Sequence, residues 1–227
     1  EVTIDPIPIH APAEITITTV SSLEYLTKGY TDYEVYFSVC DDVEGYFIHL
    51  TELSESLRQK FEATPGDCSQ EDTGAQEIKH CFKSLIQEVA SGEQVGKVGG
   101  APNAFNFDFG LQDKRVESAY VANPDAMHEG FAYTVCALDY FTPEIKTELY
   151  GLLGSWEGTR RTIEPLCGTP HQDMAGTAQG VWFKQGAGER ESNHLALVHD
   201  NVDPTIAVFS VGNGAQEQNI EARTYEF

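Results

Sequence analysis

The strongest constraint on the fold is an alternation of apolar and polar residues at period two through the first fifty positions. Ile7 and Ile9, then Ile15 and Ile17, then Tyr33, Val35 and Phe37 each place apolar side chains on one side of an extended chain. Residues 43–50 continue as a further strand. A chain written this way buries one sheet face and leaves the other to water. The period then changes. Leu53, Leu57 and Phe61 fall four apart and stop before Pro65-Gly66, which predicts a short amphipathic helix. Ile78, Phe82, Leu85, Ile86 and Val89 recur at three and four residues, which predicts a second helix over 76–90, with the polar stretch 66–74 as the loop between them.

Further along, Gly96-Lys97-Val98 follows a turn as a short strand, and Phe105–Leu111 alternates aromatic with polar residues, a pattern that puts Asn106 and Asp108 on one face. Pro143 opens a short helix over 143–153. Gly176–Phe183, His194–Val198 and Thr205–Val211 read as strands joined by Gly-rich or Asp-Pro turns. The expectation is a mostly β protein: an antiparallel β domain with a helical insertion over 1–135, then a small β-rich domain over 136–227.

Charge removes whole classes of function. The 227 residues carry 36 acidic and 14 basic side chains, a net charge of −22. Such a chain repels phosphate backbones and anionic headgroups, so nucleic acid and membrane surfaces are excluded as partners. Apolar runs such as Ile206–Phe209 fall far short of the roughly 20 residues that span a bilayer, so no membrane insertion is expected. The cysteines Cys40, Cys68, Cys81, Cys136 and Cys167 form no Cys-x-x-Cys pair, which favours disulfides over a zinc knuckle. Cys68 has Cys81 or Cys40 as its partner, and a Cys136–Cys167 bond would staple the C-terminal part to the first domain. The chain begins at Glu1 without a leader, which fits an exported protein whose signal peptide is gone, or a start set elsewhere. The expected location is secreted, periplasmic or at the cell envelope.

Four segments follow one another in order: His10-Ala-Pro-Ala-Glu-Ile-Thr-Ile17, Tyr46-Phe-Ile-His-Leu-Thr-Glu-Leu-Ser54, Ser91-Gly-Glu-Gln-Val-Gly-Lys-Val-Gly-Gly100 and Phe105-Asn-Phe-Asp-Phe-Gly110. This series over residues 5–115 resembles the lysostaphin-type zinc endopeptidases. Their pattern runs from an Ala-Pro strand to a Tyr-x-His-Leu strand, a Gly-x-x-Val-x-x-Gly turn and a closing His-x-His-Phe strand. The resemblance implies a duplicated hybrid motif whose open zinc site lowers bound water to a pKa of about 7 and cleaves cell-wall peptide. The chain departs from the family at the ligands. Asn106 and Asp108 stand where the family has His-x-His, and the upstream His-x-x-x-Asp is missing, so of the family's catalytic positions only His49 matches. An amide binds zinc weakly and cannot shuttle protons.

The expectation is therefore a non-catalytic, peptidase-like binding or scaffold protein whose former cleft takes cell-wall peptide, glycan or an envelope protein. His49, Asn106 and Asp108 are the remnant site. The alternative is a zinc-dependent cell-wall endopeptidase with an altered ligand set containing His49 and Asp108. The acidic composition adds calcium as a further cofactor option. In the second half His171, Asp173, His199 and Asp200 are ligand types without a recognised spacing, and the turn-and-cap reading is preferred for them. Trp182 is read first as a core residue and second as a ligand-stacking platform, which would require it to be exposed.

Overall fold

The structure is a computed structural model and describes residues 3–72, 77–117, 119–127, 130–183, 194–212 and 220–227. The chain is mostly β, with antiparallel sheets and a short helix inserted among the strands, as its alternation predicts. Its internal contacts divide it into two compact units, Glu1–Asp113 and Lys114–Phe227. The division falls ahead of residue 135, where the composition had placed it.

The first unit contains β1 (Ile7–His10), β2 (Ile15–Tyr25), β3 (Tyr30–Cys40), β4 (Val43–Leu50), β5 (Glu52–Leu53), α1 (Glu55–Ala63), β6 (Asp67–Asp72), β7 (Glu77–Val89), β8 (Gln94–Val98) and β9 (Asp108–Asp113). Its main sheet runs β9-β4-β3-β2-β7-β6, antiparallel throughout, and a small sheet runs β1-β8-β5. The core lies where the alternation puts it. Ile15, Ile17 and Val20 of β2, Val35 and Phe37 of β3, and Phe47 and Leu50 of β4 are all buried, and the Phe37 and Phe47 rings sit 4.8 Å apart. Each such side chain contributes about 1.5–3 kcal/mol by leaving water.

Helix α1 forms as predicted. Glu55 occupies its first turn, Arg58 pairs with Glu55 and Glu62 at 2.7 Å each, and Leu57 is completely buried. It packs on β7, where the Lys83 ammonium donates to the Phe61 carbonyl at 2.8 Å and lies 4.3 Å from the Phe61 ring centre.

The predicted helix over 76–90 is a strand instead. Cys81, Leu85 and Val89 are buried and Lys83 and Gln87 half-buried beside them, an unbroken period of two, while Phe82 and Ile86 stand exposed on the opposite face. Apolar residues on both faces of one strand imitate helical spacing. The polar stretch read as a loop is in part strand β6, exposed along its length and paired with β7. Cys68 faces Cys81 across that pair and the two are disulfide-bonded, which settles the choice against Cys40, an exposed free thiol.

The second unit carries β10 (Thr134–Val135), α2 (Pro143–Tyr150), β11 (Gly180–Phe183), β12 (His194–His199), β13 (Ala207–Val211) and β14 (Thr224–Glu226). The last four form an antiparallel sheet in chain order. The Gly-rich turn expected between β11 and β12, residues 184–193, lies outside the described residues. Cys136 and Cys167 are bonded, with Cα atoms 6.1 Å apart, but both belong to the second unit, so the bond staples that unit to itself. Among the described residues no helix is long and apolar enough to cross a membrane.

Candidate functional site

Three adjacent strands of the main sheet, β3, β4 and β9, converge on His49. Tyr33 pairs with Leu50 and Val35 with Phe47, so β4 advances three residues where β3 advances two. The extra residue is a bulge, and His49 sits in it with φ of +68°. Left-handed backbone is rare for a residue bearing a Cβ and costs about 1–3 kcal/mol. The bulge turns the His49 side chain off the regular alternation, toward Asp32 on one side and Asp108 on the other.

The His49 Nδ1 lies 2.8 Å from the Asp32 Oδ2, and its Nε2 lies 3.7 Å from the Asp108 Oδ2. The first distance is a hydrogen bond and the second is too long for one. The Asp32 side chain is only 15% exposed, whereas that of Asp108 is 60% exposed. A carboxylate accepts, so the ring's Nδ1–H donates to Asp32, and in the neutral ring Nε2 then presents a lone pair. The other Asp32 oxygen is buried with no hydrogen-bond partner among the described residues. Thr51 holds the chain just beyond the bulge by donating to the Gly99 carbonyl at 2.6 Å.

Aromatic residues flank Asp108 in the chain, and two of them gather on the buried Phe47. Phe107 and Phe109 lie 6.0 and 5.5 Å from Phe47, and Phe105 and Phe107 are 49% and 36% exposed. The Tyr46 ring lies over Gly110, where a Cβ would stand 2.1 Å from a ring carbon and would have to push the ring aside. Burial first, and the Asp108 charge second, push the Tyr46 phenol above its ordinary value.

The structure thus joins His49 and Asp108 but not Asn106. Strand β9 begins at Asp108, and Asn106 lies before it in exposed, non-strand chain, so the expected shared strand face for Asn106 and Asp108 is not formed. His49 is held by a carboxylate, that of Asp32. Asp32 was missed by sequence reasoning.

The candidates of the second half collect on one cavity of about 390 Å³, lined by His171, Asp173 and His199 among others. Their contacts are mostly local. Asp173 accepts from the Ala122 and Val181 amides at 2.7 and 3.0 Å, and Asp200 accepts from those of Val202 and Asp203 at 2.8 and 2.7 Å. The His199 amide donates to the Gln172 side chain at 2.7 Å. Burial holds the His171 ring below its ordinary pKa, opposed by the Thr134 carbonyl and the Asp173 charge. Trp182 is 46% exposed, not a core residue, and its indole N–H donates to the Ala178 carbonyl at 2.9 Å.

A zinc endopeptidase site requires three protein ligands and an open fourth position. Here His49 Nε2 and Asp108 supply two donors, and among the described residues no three His, Cys, Asp or Glu side chains are grouped to hold a metal ion. The pair thus offers two donors where a catalytic zinc takes three protein ligands. Comparison with protein-family models, with curated proteins and with solved structures gives no match for this chain.

Proposed function

We propose that the first unit is a non-catalytic, exported binding module that holds cell-wall peptide through an amino group, in the cleft of a degenerate lysostaphin-type domain. The observation that carries this reading is the pair of acceptors on either side of a 3.7 Å gap, His49 Nε2 and the exposed Asp108 carboxylate. Two acceptors with no donor between them call for a ligand group with at least two N–H bonds, such as a primary ammonium or an amide NH₂. Asp32 fixes the imidazole in the tautomer that accepts. The net charge of −22 attracts a cationic partner. A glycan without amines satisfies the pair less well, since each hydroxyl donates once.

The zinc peptidase is retained as a second reading for one reason. A carboxylate on the far nitrogen of a histidine is the usual support of a metal-binding imidazole, and Asp32 occupies that position. Calorimetry of the intact protein against a cell-wall stem peptide with a free amine, and against the same peptide N-acetylated, tests the first reading. Binding that is lost on acetylation and in His49→Ala and Asp108→Asn supports it. Equal binding of both peptides overturns it. Stoichiometric zinc in protein purified without chelator, lost in His49→Ala, replaces it with the second.

A further inference from the structure

We propose that the open face of the main sheet, along β7, docks an amphipathic basic helix of a partner protein. Pairing register fixes which side chains share that face. Asp67 of β6 stands opposite Phe82 of β7, Phe82 opposite Ser21 of β2, and Ser21 opposite Glu34 of β3. Residues directly opposite one another point to the same side of a sheet, as do residues two apart in one strand. Ile78, Phe82 and Ile86 therefore form one column, which Glu88 ends. Asp67 and Glu71 border it on β6, and Glu34 borders it beyond the small Ser21. Helix α1 packs on β7 from the other side, over the buried Cys81, Leu85 and Val89. On the open side Phe82 is 47% and Ile86 67% exposed.

Charge complementarity names the occupant. Lys79 and Lys83 are the only Lys or Arg residues in strands β2, β3, β6 and β7, and both alternate to the α1 side. There Lys79 lies 3.6 Å from Glu24 and Lys83 donates to the Phe61 carbonyl. Lys28, in the β2–β3 turn, reaches only the far end of the open face, over the Tyr25 ring at 5.3 Å. His80, inside the column, has its Nε2 3.0 Å from the buried Ser21 hydroxyl. An apolar column bordered by carboxylates on both sides repels a second copy of this acidic chain. A free polyamine would answer the carboxylates and leave Phe82 and Ile86 in water. A helix with an apolar stripe flanked by Lys or Arg answers both at once, and helices are the usual cover of a sheet face. The spacing agrees. Phe82 and Ile86 lie about 13 Å apart in extended chain, against about 12 Å for residues eight apart on one helix face. Asp67 and Glu34 stand about 5 and about 10 Å to the sides, a width that a helix about 10 Å across covers.

The test uses the intact protein and three peptides of about 18 residues, five helical turns. One is a Leu–Lys peptide with a single apolar stripe, the second a scramble of the same composition, and the third a Leu–Glu peptide that keeps the stripe. Binding is followed by fluorescence anisotropy at about 0.15 M salt, where screening weakens general attraction to the acidic chain. The expected result is saturable 1:1 binding of the striped Leu–Lys peptide, about tenfold or more tighter than the scramble, and no binding of the Leu–Glu peptide. Phe82→Ser with Ile86→Ser is expected to cost the striped peptide about tenfold and to leave the scramble unchanged. Both side chains are exposed, so the circular dichroism spectrum should not move. Asp67→Asn with Glu88→Gln should weaken binding, whereas Glu144→Gln with Glu148→Gln, which removes equal charge from exposed positions of α2, should not. The proposal is overturned by equal binding of striped and scrambled peptides, by no effect of the serine pair, or by equal weakening from the two charge pairs. Self-association of the protein alone in sedimentation, lost in the serine pair, would also overturn it and give the face to a second copy. No variant touches His49 or Asp108, so this face and the peptide cleft stand or fall separately.

Discussion

His49 is the residue at which fold and proposed function meet, and its backbone records the cost. At φ of +68° glycine would be unstrained, so His49→Gly is expected to be more stable than His49→Ala by about 1 kcal/mol in urea unfolding. Equal stabilities would mean that the bulge carries no strain. Tyrosines give a second signature. Burial, then the Glu34 carboxylate that accepts the Tyr36 hydroxyl at 3.1 Å, push that phenol up to about 12; burial and Asp139 do the same for Tyr150. A phenol that keeps its proton more tightly when folded stabilises the fold fully below the unfolded value near 10, and that contribution disappears as pH rises through the folded value. Thermal midpoints should therefore fall between pH 10 and 12, more gently in Tyr36→Phe, with tyrosinate absorbance rising late. A normal titration midpoint near 10 for all ten tyrosines would contradict it. His49 and Asp108 were legible in the sequence as residue types at matching positions. Asp32 was not, because its contact depends on the β3–β4 register and on a bulge that no local pattern announces.

Among the elements, the strands that alternate cleanly, β2, β3 and β4, were readable because each buries one face. Strand β7 was not, because Phe82 and Ile86 sit on its open face and complete a false helical period with Leu85 and Val89. Its partner β6 has no buried side chain at all, so it is held by the ladder and by the Cys68–Cys81 bond. The bond links residues 13 apart in sequence, and the chain-entropy account gives such a cross-link about 3 kcal/mol. Replacing both cysteines with serine is expected to lower stability by up to that amount. Amide exchange should quicken along Asp67–Asp72 while Val35, Phe37 and Phe47 stay protected. Uniform loss of protection across the main sheet would show instead that β6 is part of its cooperative core.

For the whole molecule the governing quantity is its charge. At −22 the folded chain works against its own repulsion, so added sodium chloride is expected to raise the thermal midpoint as the screening length falls from ~30 Å at 0.01 M to ~10 Å at 0.1 M. A midpoint that declines over that range would mean that specific ion pairs outweigh the general repulsion. From sequence the chain divides in two at residue 135, with Cys136–Cys167 as a link to the first domain; the units meet instead at Asp113, where nothing in composition changes, and that bond lies within the second. The same excess of acid has a local effect at β6, which ends the main sheet with Asp67, Glu71 and Asp72 on a wholly exposed strand. A second copy arriving there to extend the ladder would have to bring its own carboxylates against these. Crowded copies of this protein thus stay dispersed where a neutral margin would template fibrils.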